Sequence, residues 1–301
     1  MSLPPPPPPK APTGASRGTL TCYRHPNRDA GRRCTRCGKP ACAECLVQAS
    51  VGSHCVDCAR LARPDTKTRA KYWSARQATL VTYVLILTNV LVFVYLIFDS
   101  PRSLLGDQNA MGYIRLGLSR DLLRQDFVPG IPDAGLPGQW YRLVTSGFLH
   151  YGILHLAFNM YALYMLGQTL EPMLGRLRFG LVYFACLLGG SAGALVFQPT
   201  GLHGGASGAV FGLFGLIMVG YIQRGINPLT TALGGVLILN VLLSFRPGIS
   251  FGGHIGGAVA GVICGLVMMA PAQRRVPEMW TYITPVVVGL ASIGVAVFTT
   301  R

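Results

Sequence analysis

Two apolar stretches of the sequence each carry one side chain that could take part in hydrolysis. Ser207 lies in Gly-Ala-Ser-Gly-Ala-Val-Phe-Gly (205–212), and His254 lies in Gly-Gly-His-Ile-Gly-Gly (252–257). A histidine within hydrocarbon is costly, so a role in function is its default interpretation. A serine hydroxyl becomes a strong nucleophile when a histidine takes its proton. Because neither stretch holds Asp or Glu, the pattern predicts a catalytic dyad of Ser207 and His254 without a third, acidic member.

A second pair of polar residues stands in another apolar stretch, His-Leu-Ala-Phe-Asn (155–159). His155 and Asn159 are four residues apart, so a helix would place them on one face. Both can donate hydrogen bonds, and donors fixed around a developing oxyanion are a large catalytic term. We expect them to be oxyanion donors; the alternative, structural hydrogen bonds between helices, stays open.

Small residues repeat at helical spacing beside both candidate catalytic residues. Gly208, Gly212 and Gly215 form a stripe next to Ser207, and Gly257, Gly261 and Gly265 repeat below His254. Such stripes allow two membrane helices to touch backbone to backbone. If these two helices face each other, Ser207 and His254 meet near the outer end of the pair.

Seven apolar runs predict an all-α polytopic membrane protein. They cover residues 77–98, 148–169, 178–197, 206–222, 229–244, 251–270 and 281–299. Most are long enough to cross a hydrocarbon core of about 30 Å. The sixteen residues from Ser207 to Ile222 would make only about 24 Å of helix. We therefore expect Ser207 below the outer surface, at the floor of a cavity open to the outside.

The basic residues predict the orientation of the chain in the membrane. Lys and Arg gather before the first run and in alternate loops after it: Arg60, Arg63, Lys67, Arg69, Lys71, Arg76, Arg176, Arg178, Arg224, Arg274 and Arg275. These positions share one side, which the positive-inside rule makes the cytoplasm. We expect a multi-pass protein of the plasma membrane with its N-terminus in the cytoplasm and its C-terminus outside. The same rule explains the net charge of +15 better than nucleic-acid binding does.

Residues 21–60 contain eight side chains typical of metal ligands, arranged in four pairs. The pairs are Cys22 with His25, Cys34 with Cys37, Cys42 with Cys45, and Cys55 with Cys58. Eight ligands suit two tetrahedral Zn²⁺ ions with a structural role. Disulfides are disfavoured because seven cysteines leave one unpaired and the expected compartment is reducing. His54 is an alternative ligand to Cys55.

The spacing of these pairs resembles a B-box or RING-like zinc finger. In that kind of finger the pairs alternate, so the resemblance implies that the first and third pairs hold one ion and the second and fourth hold the other. Zinc would supply most of the folding energy of so small a segment. We expect its partner to be a cytoplasmic protein or the lipid surface, with nucleic acid disfavoured.

The membrane part resembles the rhomboid family of intramembrane serine proteases. The matching motifs are Trp140-Tyr-Arg142, His155-x-x-x-Asn159, Gly205-Ala-Ser207-Gly and His254-x-x-Gly257-x-x-x-Gly261. The resemblance implies Ser207 as nucleophile, His254 as base and then acid, and His155 and Asn159 as oxyanion donors. It also implies an aromatic residue, Phe211, packed on the His254 ring, and structural roles for Trp140, Arg142, His150 and Glu171. The core of the family has six transmembrane helices, and the last run resembles the C-terminal crossing that a subgroup adds.

These observations divide the chain into five segments. We expect a disordered Pro-rich tail at 1–20, a double-zinc B-box-like finger at 21–60, a basic linker at 61–76, a rhomboid core of six helices at 77–270, and a loop with the seventh helix at 271–301. The predicted function is cleavage of transmembrane segments of membrane proteins, with no cofactor for catalysis. The alternative is a non-catalytic rhomboid-like protein that binds membrane clients; a transporter is disfavoured because no inverted repeat or intramembrane acid is visible.

Overall fold

The computed structural model describes residues 20–49, 51–61, 79–107, 111–124, 139–244, 250–271 and 274–300. The chain forms two compact units, Met1–Arg76 and Gln77–Arg301. Nearly all of the predicted Pro-rich tail and of the predicted basic linker lies outside the described residues.

The first unit is a small fold whose interior is made mainly of cysteine. Strand β1 (Arg32–Arg33) pairs antiparallel with β2 (Pro40–Ala41), and β3 (Leu46–Gln48) pairs antiparallel with β4 (Ser53–Cys55). Helix α1 (Val56–Leu61) follows directly. The buried hydrophobic side chains are six cysteines and Ala41, with Tyr23 and Leu46 packed beside them. Because so few aliphatic groups are buried, the hydrophobic effect supplies little of this unit's stability.

The second unit is helical. Its helices are α2 (Leu80–Asp99), α3 (Met111–Leu116), α4 (Arg120–Arg124), α5 (Arg142–Thr145), α6 (Ile153–Leu174), α7 (Arg176–Phe197), α8 (Ser207–Ile222), α9 (Ala232–Leu243), α10 (Phe251–Met268) and α11 (Trp280–Thr300). Each of the seven predicted apolar runs overlaps one of the longer helices. By length and composition, four of the described helices, α2, α7, α10 and α11, could cross a membrane. Helices α8 and α9 are apolar but shorter, and α6 has 22 residues but carries several polar side chains.

One predicted boundary differs clearly from the structure. The second apolar run was expected to begin at residue 148, but α6 begins at Ile153 and extends to Leu174. Residues 146–148 instead form a 3-10 turn, and Gly152 has φ +90°, a left-handed conformation that glycine tolerates. At the other end the helix continues through polar residues that the hydropathy pattern excluded, because Glu171 is buried and hydrogen-bonded there.

Close contacts between glycines hold α8 against α10. A Cβ on Gly257 would overlap the carbonyl oxygen of Gly208, and a Cβ on Gly261 would overlap that of Gly212. The two predicted stripes therefore do face each other, as expected from their spacing. Glycines of α7 join this contact, since a Cβ on Gly193 would overlap the carbonyl oxygen of Gly252. Three helices thus meet with almost no side chain between their backbones.

The segment before α6 is anchored by Arg142. Its side chain is buried and donates to the carbonyl oxygens of Ile114 at 2.5 Å and Gly117 at 2.8 Å, and to Oε1 of Gln139 at 2.6 Å. Trp140, two residues earlier, is partly exposed. A buried guanidinium that uses its donors on backbone carbonyls is well suited to fix a loop.

Glu171 joins the end of α6 to the start of α2. Its carboxylate is fully buried and accepts hydrogen bonds from the backbone N–H groups of Val81 and Thr82, both at 2.8 Å, and from the Thr82 hydroxyl at 2.6 Å. The first N–H groups of a helix have no partner within the helix, and a carboxylate there satisfies them. This arrangement is consistent with the structural role expected for Glu171.

Candidate active site

Ser207 is the first residue of α8 and is held by the loop before it. Gly205 has φ +133° and donates its N–H to the carbonyl oxygen of Ser146 at 2.8 Å. Ser207 is half-buried and lines a partly open cavity of about 360 Å³, which includes space open to solvent. The polar side chains of that cavity come from Ser146, Ser191, His203, Ser207 and Ser250. A hydroxyl at a helix start that faces a cavity is reachable by a substrate.

His254 lies in the first turn of α10 and is buried. Its ring stacks on Phe211, with centroids 4.2 Å apart and planes 11° apart. Phe211 stands four residues after Ser207, one helical turn further along α8. The stacking expected between Phe211 and His254 is therefore present, and it fixes the plane of the histidine ring next to the helix that carries the serine.

The two candidate catalytic residues are not hydrogen-bonded to each other in the described structure. Nε2 of His254 is buried and has no hydrogen-bond partner among the described residues. Hydrogen bonds of catalytic groups are often long or poorly aligned in a free enzyme and shorten when substrate binds. The structure thus places the two residues on adjoining helices, Ser207 on α8 and His254 on α10. Nε2 of His254 has no hydrogen-bond partner among the described residues.

His155 lies beside Ser207 and has a defined tautomer. Its Nδ1 accepts a hydrogen bond from the backbone N–H of Tyr151 at 3.2 Å, so in the neutral ring the proton is on Nε2. Nε2 of His155 and Oγ of Ser207 lie 3.3 Å and 3.4 Å from the point where a Cβ on Gly205 would stand. The Nε2–H donor is therefore close to the Ser207 hydroxyl, as the role expected of His155 as an oxyanion donor requires.

Asn159 is buried one turn further along α6. Its Nδ2 donates to the carbonyl oxygen of His155 at 2.9 Å. A carboxamide has two N–H donors, and this bond uses one of them. His150 is fully buried, and its ring centroid lies 5.2 Å from that of His155. The structure therefore groups His155, Asn159 and His150 around the start of α6.

Three polar residues near the site carried no signal in the sequence. The Ser244 hydroxyl lies 2.7 Å from Nδ1 of His254. Oε1 of Gln198 accepts from the Ser250 hydroxyl and from the N–H of Gly252, both at 3.1 Å. His203 contacts the carbonyl oxygen of Gln198 at 2.7 Å. Gln198 and Ser244 each stand at the end of an apolar run, and His203 lies in the loop between two runs. No periodicity distinguishes any of them from ordinary loop residues.

In the first unit the eight candidate metal ligands form two groups of four. One group is Cys22, His25, Cys42 and Cys45, and the other is Cys34, Cys37, Cys55 and Cys58; within each group the ligand atoms lie within 4.8 Å of one another. This is the alternating order, and His54 belongs to neither group. The described cysteines form no disulfide.

The distances within these groups fit a tetrahedral metal site. Nδ1 of His25 lies 3.9 Å, 3.5 Å and 3.4 Å from the sulfurs of Cys22, Cys42 and Cys45. In the other group the sulfurs of Cys37 and Cys55 are 3.7 Å apart. A tetrahedral Zn²⁺ with ligands at its usual distances would place such atoms about 3.5 to 3.8 Å apart. The donor set and its spacing therefore suit zinc.

Comparisons with known proteins give a consistent result for the membrane part. Residues 137–271 match the family model described as "Rhomboid domain". The chain is 34% identical over 161 residues to the putative rhomboid protease YdcA of Bacillus subtilis; the matched region covers 51% of this chain and 80% of YdcA. It is 38% identical over 138 residues to the rhomboid protease GluP of the same organism, covering 44% of this chain but only 27% of GluP. It is 32% identical over 155 residues to rhomboid-type serine protease 2 of Emericella nidulans, covering 48% of this chain and 30% of that protein.

Proposed function

This chain belongs to the rhomboid family, and we propose that it is an intramembrane serine endopeptidase. The observation that carries the proposal is the placement of Ser207 at the cavity, with His254 stacked on the same helix and His155 beside it. Relatives named as rhomboid proteases or serine proteases support the same activity. The non-catalytic alternative is not favoured, because the relatives are named as proteases and the side chains proposed as nucleophile, base and oxyanion donor are all present in this chain.

The proposed reaction uses these side chains in two steps. Ser207 attacks the peptide carbonyl while His254 takes the hydroxyl proton, which it then gives to the leaving amine. The Nε2–H of His155, the backbone N–H of Ser207 at the start of α8 and the Asn159 amide stabilise the oxyanion. Water then hydrolyses the acyl-enzyme with His254 again as base. No metal or cofactor takes part in these steps.

The proposed substrates are membrane proteins with a transmembrane helix that unwinds easily near its outer end. A helix hides its carbonyls in internal hydrogen bonds, and breaking those bonds in lipid is costly. A peptide must be extended to reach Ser207, so helix-destabilising residues at the cleavage region should favour a substrate.

We further propose seven crossings, with six helices forming the core and α11 added after it. The basic residues support an N-terminus in the cytoplasm and a C-terminus outside. We propose the plasma membrane as the location. Helix α6 is included despite its polar residues, because Asn159 and Glu171 are buried within the protein, where they cost less than in lipid.

For the first unit we propose two structural Zn²⁺ ions, one in each group of four ligands. The donor set of seven thiolates and one imidazole is typical of zinc. We propose a cytoplasmic protein or the lipid surface as the partner of this B-box-like finger.

A serine-directed probe tests the proposed activity. Membranes containing the wild type or Ser207→Ala are treated with a fluorophosphonate, and the labelled peptide is identified by mass spectrometry. We expect label on the peptide containing Ser207 in the wild type and none there in Ser207→Ala.

In parallel, the purified Ser207→Ala and His254→Ala variants should each fail to cleave a single-pass substrate while still inserting into the membrane. Substantial cleavage by either variant would overturn the dyad.

A further inference from the structure

We propose that Ser244 is a positioning residue for His254: its hydroxyl accepts the Nδ1–H of the ring and so leaves Nε2 unprotonated, ready to act as base. The catalytic meaning of this contact rests on the proposed function, but the contact itself does not. Among the described residues, Ser244 is the hydrogen-bond partner of the His254 ring.

Ser244 follows the last residue of α9 and is buried. Among the described residues its Oγ has two polar neighbours, Nδ1 of His254 at 2.7 Å and the backbone carbonyl oxygen of Asn240 at 2.8 Å. Both distances are short enough to require a proton between the atoms. Ser244 therefore connects the end of α9 to the candidate base on α10.

The number of protons decides the direction of each bond. A serine hydroxyl has one proton to donate, whereas a carbonyl oxygen can only accept. The Ser244 proton must therefore go to Asn240, since otherwise two oxygens would face each other at 2.8 Å with no proton between them. Oγ is left as an acceptor towards His254, so the ring must carry its proton on Nδ1.

This tautomer is the one a general base needs. With the proton on Nδ1, the free electron pair is on Nε2, the nitrogen that is buried without a partner among the described residues. Phe211 fixes the plane of the ring by stacking, and Ser244 fixes its rotation within that plane. In Ser-His-Asp triads an acidic residue holds the histidine from the Nδ1 side. Here a neutral hydroxyl would do so, which explains how the base can be oriented without an acidic residue on α8 or α10.

Nitrogen-15 NMR tests the tautomer directly on the full chain in detergent. The protein is labelled with ¹⁵N-histidine, and the His254 signals are assigned by their loss in His254→Gln. We expect the wild type to show a protonated Nδ1 and a bare Nε2, and Ser244→Ala to move the population towards a protonated Nε2. A wild type with its proton on Nε2, or a Ser244→Ala spectrum with an unchanged tautomer, would overturn the proposal.

Kinetics test the consequence for turnover. Ser244→Ala should lower kcat for a single-pass substrate about tenfold, with KM unchanged, as expected for the loss of one buried hydrogen bond. Ser244→Thr keeps the hydroxyl and should restore most of kcat. The matched control is Ser292→Ala, whose hydroxyl also bonds the carbonyl four residues earlier, at 2.8 Å, but lies on α11; it should behave as wild type.

The two experiments separate this inference from the proposed function. If the wild type neither cleaves nor takes the serine-directed probe, the proposed function fails, while the NMR spectrum still decides the hydrogen bond. If the wild type cleaves and Ser244→Ala has the same kcat, Ser244 has no positioning role and the proposed function stands. If Ser244→Ala does not fold, the wild-type tautomer and the Ser244→Thr kinetics decide the question.

Discussion

The Nδ1 atoms of His155 and His254 have different hydrogen-bond partners, and our proposal derives opposite chemical roles from this difference. Nδ1 of His155 accepts from a backbone N–H, which leaves a donor on Nε2. Nδ1 of His254 lies against a hydroxyl, which in our proposal leaves an acceptor on Nε2. In this proposal two neutral imidazoles act as an oxyanion donor and a base through a single hydrogen bond each.

The oxyanion assignment predicts a graded loss of turnover. His155→Ala should lower kcat about a hundred- to a thousandfold, the typical effect of removing one such donor. Asn159→Ala should have a smaller effect, because one of its N–H groups is already bonded to the His155 carbonyl. Both losses should be smaller than that of Ser207→Ala, measured as initial rates on a single-pass substrate with the purified chain.

A matched control for this prediction is Asn227→Ala. Asn227 caps a short 3-10 turn between α8 and α9 by accepting from the N–H of Leu229. The Asn227→Ala variant should cleave substrate at the wild-type rate. If His155→Ala and Asn159→Ala also reach the wild-type rate, both residues are structural and the oxyanion role must be given up.

The candidate catalytic residues could be predicted from the sequence only where a polar side chain lies within an apolar run, because burying it there costs free energy. Ser207 and His254 stand out because each interrupts an apolar run beside a glycine stripe. Ser244 could not be found in this way. Its proposed role depends on a contact between the end of α9 and α10, and a serine at the end of an apolar run is an ordinary residue in any sequence.

At the scale of elements, glycines set the distance between α8 and α10. Adding one methyl group at this contact should therefore have a large effect on stability and cleavage. Gly257→Ala would place a Cβ on the Gly208 carbonyl oxygen, so the helices must separate. We expect a loss of about 1–3 kcal/mol of stability, as for an overpacked core, together with reduced cleavage. Thermal unfolding in detergent and the cleavage rate measure the two effects.

Gly294→Ala in α11 is the matched control, because a Cβ there meets nothing within 4 Å. It should leave both unfolding temperature and cleavage unchanged. Equal unfolding temperatures for Gly257→Ala and Gly294→Ala would mean that the helices adjust without cost, and the close contact would not be what positions His254.

Helix locations were predictable because most of the apolar runs are long, whereas two details were not. The start of α6 depends on the conformation of Gly152, which hydropathy does not report. The third partner in the glycine contact, α7, was also missed. Gly189, Gly190 and Gly193 make its small face, but a small-residue stripe does not tell which helix it will meet.

At the scale of the whole molecule, the first unit should depend on metal, because its interior is mostly cysteine. The purified full chain should contain two zinc ions, as measured by elemental analysis. Cys22→Ser and Cys34→Ser should each remove one ion, since they lie in different groups. Cys264→Ala, in α10, should retain both. One ion per wild-type chain, or none, would show that the two-site proposal is wrong.

The ligand types and the number of sites were readable from the spacing of the pairs, but their grouping was not. Four pairs can combine in several ways, and only the resemblance to a B-box or RING-like finger pointed to the alternating one. The grouping depends on the hairpins β1–β2 and β3–β4, which are two or three residues long and too short to leave a pattern in the sequence.

The division of the chain into two units leads to the last prediction. Every side chain proposed for catalysis, from His155 to His254, belongs to the unit Gln77–Arg301. The hydrogen bonds that join α2 to α6 through Glu171 are also internal to that unit. Deleting residues 1–62 should therefore leave cleavage of a generic substrate in detergent close to the wild-type rate. In cells the same deletion should change which substrates are cut, because a tethered binding module raises the local concentration of its partner.

The deletion needs two controls to be decisive. The deleted chain carrying Ser207→Ala should be inactive, which shows that the remaining cleavage comes from the same site. Its thermal unfolding in detergent should match that of the full chain, which shows that the helical unit is intact. A deleted chain that unfolds normally but cleaves slowly would mean that the first unit acts on the active site, and the two units could then no longer be treated as independent in catalysis.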